Sequence, residues 1–141
     1  MARSASWAAL ALVALLPVSA CTTTVEPVPT AVIVPTESTG TLVVAWTIRA
    51  GTDPGDCSLS GAAAIRIHVV TIDVVDAGTY EQACGAFATS ITLPPGTYEA
   101  SALLVDAGGG DRTTSVPIQA FTILGADVLT IPIDFPANSF F

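Results

Sequence analysis

The stretch Thr41-Leu42-Val43-Val44-Ala45-Trp46-Thr47-Ile48-Arg49 decides how this chain folds. Leu42, Val44, Trp46 and Ile48 alternate with Thr41, Val43, Ala45, Thr47 and Arg49. Side chains of a strand point to opposite faces in turn, so a period of two buries one face of a strand. A surface helix needs an apolar stripe at a period of 3.6, and no later stretch sustains one.

The same period recurs further along the chain. Ile65, Ile67 and Val69 alternate with Arg66, His68 and Val70, and Phe87, Thr89, Ile91 and Leu93 form a third row. Tyr98, Ala100, Ala102 and Leu104 oppose Glu99, Ser101, Leu103 and Val105. Val116, Ile118, Phe121 and Ile123 are less regular, with Pro117 among them, and Val128, Leu129, Ile131, Ile133 and Phe135 come last. Turn residues separate the rows. Thr52-Asp53-Pro54-Gly55-Asp56 is a turn cluster, Asp76-Ala77-Gly78 suits a hairpin, and Pro95-Gly96 fits the centre of a type II turn. Asp106-Ala107-Gly108-Gly109-Gly110-Asp111 reads as a flexible hairpin loop, and Leu124–Asp127 links the last two strands. Strands of this length at this spacing predict one all-β domain, an antiparallel β-sandwich of seven or eight strands. Pro117 and Pro132 belong at edges or bulges, because a central strand needs the amides they lack.

The segment before this domain has a different character. Residues 1–20 hold Arg3, the apolar run Trp7–Leu16 and then Val18-Ser19-Ala20 before Cys21. The run is too short for a bilayer, which takes about 20 apolar residues, and suits an export signal. Residues 21–40 form a Thr/Pro-rich tether in which Pro27, Pro29 and Pro35 favour extended backbone. At about 3.1 Å per residue, residues 22–39 reach roughly 55 Å. Ala31–Val34 is an alternative edge strand. The sandwich is expected over 41–136, with a tail at 137–141.

Composition excludes several classes of function. The 141 residues carry a formal charge of −8, with no lysine and Arg only at positions 3, 49, 66 and 112. No basic surface for a phosphate backbone exists, so nucleic acid is not a partner. The acidity also opposes electrostatic adhesion to anionic lipid. Hydrophobic residues are 51% and charged residues 11%, the reverse of a disordered chain. Cys57 and Cys84 form an even pair, and in an oxidising compartment such a pair joins as a disulfide.

Val18-Ser19-Ala20-Cys21 resembles a bacterial lipobox. The resemblance implies cleavage between Ala20 and Cys21, diacylation of the Cys21 thiol and later acylation of its amine. Thr22, rather than Asp, then favours the outer membrane of a two-membrane cell envelope. The segments Leu93–Tyr98 and Leu104–Gly108 resemble an element of prealbumin-like and carboxypeptidase-regulatory-like sandwich modules, which are immunoglobulin-like in architecture. Residues 21–141 as a whole resemble small uncharacterised bacterial lipoproteins, with a Trp-bearing first strand, two spaced cysteines and an ending such as Ile133-Asp134-Phe135-Pro136. An immunoglobulin domain proper orders its landmarks Cys, Trp, Cys, whereas here Trp46 precedes both cysteines.

Few residues invite chemistry. His68 is the single imidazole, on the face opposite the apolar row, with no Gly-x-Ser-x-Gly elbow to serve. Asp106 and Asp111 flank three glycines and are weak calcium candidates, as are Asp73 and Asp76, but the spacing is not that of an EF-hand. Trp46, Tyr80, Tyr98, Phe87 and Phe121 are either core or a sugar-stacking platform, and the shared face of Trp46 with Leu42 favours core. The expectation is a non-catalytic binding, interaction or structural module without cofactor. It is held on the membrane by the lipid of Cys21, and its partner is an envelope protein or polysaccharide. The alternative is a carbohydrate-binding module at the cell surface.

Overall fold

The computed structural model describes residues 38–141. The signal segment 1–20, the cleavage and lipidation position at Ala20 and Cys21, and most of the tether lie outside the described residues. The described chain forms seven strands: β1 Gly40–Ile48, β2 Ala64–Thr71, β3 Asp76–Ala83, β4 Ala88–Leu93, β5 Gly96–Val105, β6 Val116–Ile123 and β7 Val128–Phe135. One short helix, α1 Pro54–Ser60, joins β1 to β2. The strands make a three-stranded sheet ordered β4-β1-β7 and a four-stranded sheet ordered β3-β2-β5-β6.

The alternating rows form the core between the sheets. Leu42, Val44, Trp46 and Ile48 of β1 face Ile65, Ile67 and Val69 of β2, and all are at most 1% exposed. Burying one such side chain contributes about 1.5–3 kcal/mol, so a one-residue slip, which would turn the whole row to solvent, is strongly disfavoured. The irregular spacing in β6 also has a cause. Tyr98 pairs with Phe121 and Ala100 with Ile118, so Gln119 and Ala120 together oppose Glu99 in a β-bulge. The bulge returns Ile118, Phe121 and Ile123 to the core face. Pro117 and Pro132 sit on β6 and β7, both edge strands, where no further neighbour needs their amides.

The structure corrects several expectations. β1 and β7 pair in parallel, from Thr41 with Val128 to Ile48 with Phe135, while every other strand pair is antiparallel. The reason is topological: β6 ends where β1 begins, so the turn Leu124–Asp127 starts β7 beside the start of β1. Asp53 caps a helix instead of opening a turn, accepting from the Gly55 amide at 2.8 Å, and Pro54 fills the first helical position. Seven residues are too few to display a helical stripe. The β2–β3 turn is Ile72–Val75, not Asp76-Ala77-Gly78; Asp76 already pairs with Val70. Gly96 begins β5 without a positive φ, so Pro94-Pro95 is a corner crossing between the sheets and not a type II hairpin. The tail folds back: Phe140 bridges to Thr113, and the Thr114 amide donates to Ser139 at 2.7 Å.

The β4–β5 corner is held from inside. The Tyr98 hydroxyl donates to the Pro94 carbonyl at 2.8 Å, four residues upstream, and so ties the corner to the strand it opens. Burial, with the Tyr80 phenol adding to it, pushes the Tyr98 hydroxyl up from its ordinary value and keeps it a donor.

Candidate functional site

Strand directions give the sandwich two ends. β1, β5 and β7 start at one end and finish at the other, while β2, β4 and β6 run back. The chain arriving from the tether joins β1 at the first end. The second end carries α1, the 3₁₀ turn Cys84–Ala86, the Asp106–Asp111 loop and the C-terminus.

A disulfide between Cys57 and Cys84 ties α1 to the 3₁₀ turn at the second end, with the two Cα atoms 6.0 Å apart. It therefore joins the two connections that leave β1 and β3, rather than two core strands. Trp46 lies beneath it, donating its indole N–H to the Cys84 carbonyl at 2.9 Å. The Leu104 amide, buried, finds the Thr113 hydroxyl at 3.0 Å. Arg112 donates to the Ser60 carbonyl at 3.1 Å, closing the C-terminal side of α1.

An open cleft of about 380 Å³ lies at this end, on the outward face of β1 and β7. Ala45, Thr47, Pro132 and Asp134 line it, with Phe87 and Thr52 at its sides. Asp134 accepts from the Thr47 hydroxyl and from the Ala50 amide. Ala50 lies in the tight turn Ile48–Gly51, where Arg49 and Ala50 both have positive φ, of 52° and 62°. Such a turn favours Asn-Gly; Arg-Ala is held there by Asp134 on one side and by the Arg49 guanidinium over the Phe140 ring, 5.3 Å from its centroid, on the other. One carboxylate, two threonine hydroxyls and one aromatic edge thus surround an apolar floor, a composition suited to binding a neutral polar ligand.

The residues singled out from the sequence fall elsewhere. Trp46, Tyr98 and Phe121 are buried and form no surface platform; of the five aromatics, only Tyr80 and Phe87 reach partway to solvent. His68 Nε2 lies 3.4 Å from Asp76 Oδ1, both well exposed, and Ser101 is the residue opposite His68 on β5. No hydrogen bond joins Ser101 to that pair. Asp106 accepts from the amides of Gly108 and Gly110 at 2.8 and 2.9 Å and closes its own loop. Those amides, Gly110 foremost, hold its carboxyl below the usual carboxylate range. Among the described residues, no three His, Cys, Asp or Glu side chains gather to hold a metal. The cleft was not legible in the sequence because its walls come from four separate segments. The one local hint was Asp134, a carboxylate inside the last apolar row.

The first end is built from the turns Ile72–Val75 and Leu124–Asp127 and the corner Pro94-Pro95. The Ile72 amide donates to Thr97, Ala126 to Thr39, and Thr41 to Asp127, at 2.8–3.1 Å. A side chain at Gly125 would collide with Ser38, and one at Gly40 with the Leu124 carbonyl, so the incoming chain lies tight against the β6–β7 turn.

Comparison with protein-family models, with curated proteins and with solved structures returned no match. No described helix is long and apolar enough to cross a membrane.

Proposed function

We propose that this chain is a lipid-anchored cell-envelope protein whose β-sandwich acts as a non-catalytic binding module. The observation that carries the reading is the order of Arg3, the apolar run and Val18-Ser19-Ala20-Cys21 ahead of a proline-rich segment. The Cys57–Cys84 bridge supports it, because such bonds persist in exported proteins. Cys21 carries the acyl chains, and more than one chain is needed for stable anchoring. The resemblance to small bacterial lipoproteins, together with Thr22, favours the outer membrane. Expression in a bacterial host with labelled palmitate tests the reading. The mature chain should begin at Cys21 with the mass of its acyl chains and partition into detergent, and Cys21→Ser should move it to the aqueous phase. A native protein with an unmodified terminal amine would overturn it. A hydrolytic activity lost in His68→Ala would overturn the non-catalytic part.

A second reading, a carbohydrate-binding module, is favoured by the cleft of Thr47, Thr52, Phe87 and Asp134. Hydroxyls and one carboxylate around an apolar floor match the alternating polar edges and apolar faces of a sugar ring. A glycan array probed with the protein and its Asp134→Ala variant decides it. Binding that Asp134→Ala abolishes supports the module, and silence across polysaccharides removes it.

A further inference from the structure

Seven large hydrophobic side chains among the described residues are more than half exposed. Leu59 and Phe141 belong to the disulfide end. The other five lie at the tether end, Ile72, Val74, Val75 and Leu124 on its turns and Val128 at the start of β7, with exposures from 57% to 82%. Pro94 and Pro95, also exposed, lie on the corner at the same end. Scattered exposed aliphatics are ordinary, but five at one end of the sandwich, on two turns and the first residue of β7, give that end apolar surface of the kind an interaction face uses.

Backbone conformation supplies an independent observation. Val74 has φ 62° at the residue that closes the Ile72–Val75 turn. Glycine or asparagine fits that position; a β-branched residue there is a true outlier. The turn is closed without help from the Val74 side chain: the Thr71 amide donates to the Val75 carbonyl and the Val74 amide to the Thr71 carbonyl, both at 2.8 Å, and the Thr71 hydroxyl accepts from the Val75 amide at 3.1 Å. A strained, exposed valine that packs on nothing points to a use outside the fold.

The occupant follows from chemistry and connectivity. No described arginine lies at this end, since Arg49 and Arg112 are at the other and Arg66 is in the disulfide-end half of β2. Asp73 and Asp127 do lie here. Attraction to phosphate headgroups is therefore absent, and what the patch offers is apolar area. The chain running from Cys21 enters the sandwich at this same end, tight against the Leu124–Asp127 turn. We infer that the tether end is a membrane-docking face: Ile72, Val74, Val75, Leu124 and Val128 seat in the headgroup–acyl boundary of the neutral leaflet that holds the acyl chains of Cys21. The inference rests on the lipid-anchor reading. A tether of at most roughly 55 Å keeps the face at high local concentration near the leaflet, so a small apolar area suffices where a free domain would dissociate. The cleft and the disulfide end then point away from the membrane.

Fluorescence of the mature acylated protein in phosphatidylcholine vesicles tests this. Val74→Trp places an indole on the tip at an exposed position, Leu59→Trp places one at the opposite end, and buried Trp46 supplies a constant background. Flotation with the vesicles checks the anchor separately, so a protein that fails to float overturns the lipid-anchor reading and not the docking face. For protein that floats, brominated acyl chains should lower the added emission of Val74→Trp about twofold or more and leave Leu59→Trp unchanged. Equal quenching of both variants, or of neither, overturns the docking face. A blue shift in Val74→Trp without bromine quenching means that protein covers the patch instead, and also overturns it.

Discussion

At the disulfide end a covalent bridge, the Trp46 indole and the Thr113 hydroxyl hold the connecting segments, and two large apolar side chains, Leu59 and Phe141, stay exposed. At the tether end the turns are held by backbone bonds, their own and those to Thr97, Thr39 and Thr41, and their large apolar side chains are exposed. Both ends contain residues in left-handed backbone that are not glycine: Arg49, Ala50 and Phe87 at one, Val74 and Ala126 at the other. The disulfide end compensates them with tertiary contacts, namely Asp134 to the Ala50 amide, Arg49 over Phe140 and Phe87 against Trp46, and the Ala126 amide donates to the Thr39 carbonyl, whereas Val74 has only bonds within its own turn. The difference separates strain that serves packing from strain that packing does not use.

If that contrast holds, substitutions at the two ends should differ in size and even in sign. Trp46→Ala should have the largest effect, a loss of about 3–5 kcal/mol from the cavity, with the Cys84 carbonyl left without its donor; urea unfolding measures it. Replacing Cys57 and Cys84 together by Ala should cost about 2–4 kcal/mol on the chain-entropy account, seen as a lower thermal midpoint. A change below about 1 kcal/mol would mean that the Trp46 bond to Cys84 and the Arg112 bond to Ser60 hold the two segments without the bridge. At the tether end Tyr98→Phe should cost only about 1 kcal/mol, the net value of one hydrogen bond, with the Pro94 corner loosened in amide exchange. Val74→Gly should reverse the sign: relief of about 1–2 kcal/mol of left-handed strain exceeds the about 0.5–1 kcal/mol entropic cost of glycine. A destabilised Val74→Gly would show that Val74 packs on something after all.

The smallest expected effect is a pH dependence at the Asp106 loop. Its carboxyl is held below the ordinary value of 3.8, so the folded state favours the ionised form. The stabilisation is complete above that pH and is lost as pH falls through the folded value. Asp106→Asn should remove this part of the acid sensitivity by lowering stability slightly near neutrality while leaving stability below the folded value almost unchanged, as denaturant titrations at neutral and at acid pH would show.

Much of the architecture was legible from local pattern. Leu42 to Ile48, Ile65 to Val69 and Tyr98 to Leu104 gave their strands and buried faces, because a period of two is a property of neighbours along the chain. The pairing of Cys57 with Cys84 followed from counting cysteines after Cys21 was set aside for lipid. What failed depended on neighbours across the chain. Gly78 and Gly96 looked like turn residues because glycine permits a turn, yet permission is not instruction, and valine at position 74 took the left-handed place instead. Asp53-Pro54 has turn chemistry, yet the same two residues also start a helix.

By itself, then, the sequence determined that the chain makes strands and which side chains they bury, and it carries the residues on which the proposed export and lipid signal rests. Each of these depends on residues adjacent in the chain. Tertiary structure alone decided that β7 lies parallel to β1, that four segments meet in one cleft, and that the exposed aliphatics of two distant turns share an end with the incoming tether. Such placements follow from how the two sheets close over a common core, which no single segment encodes.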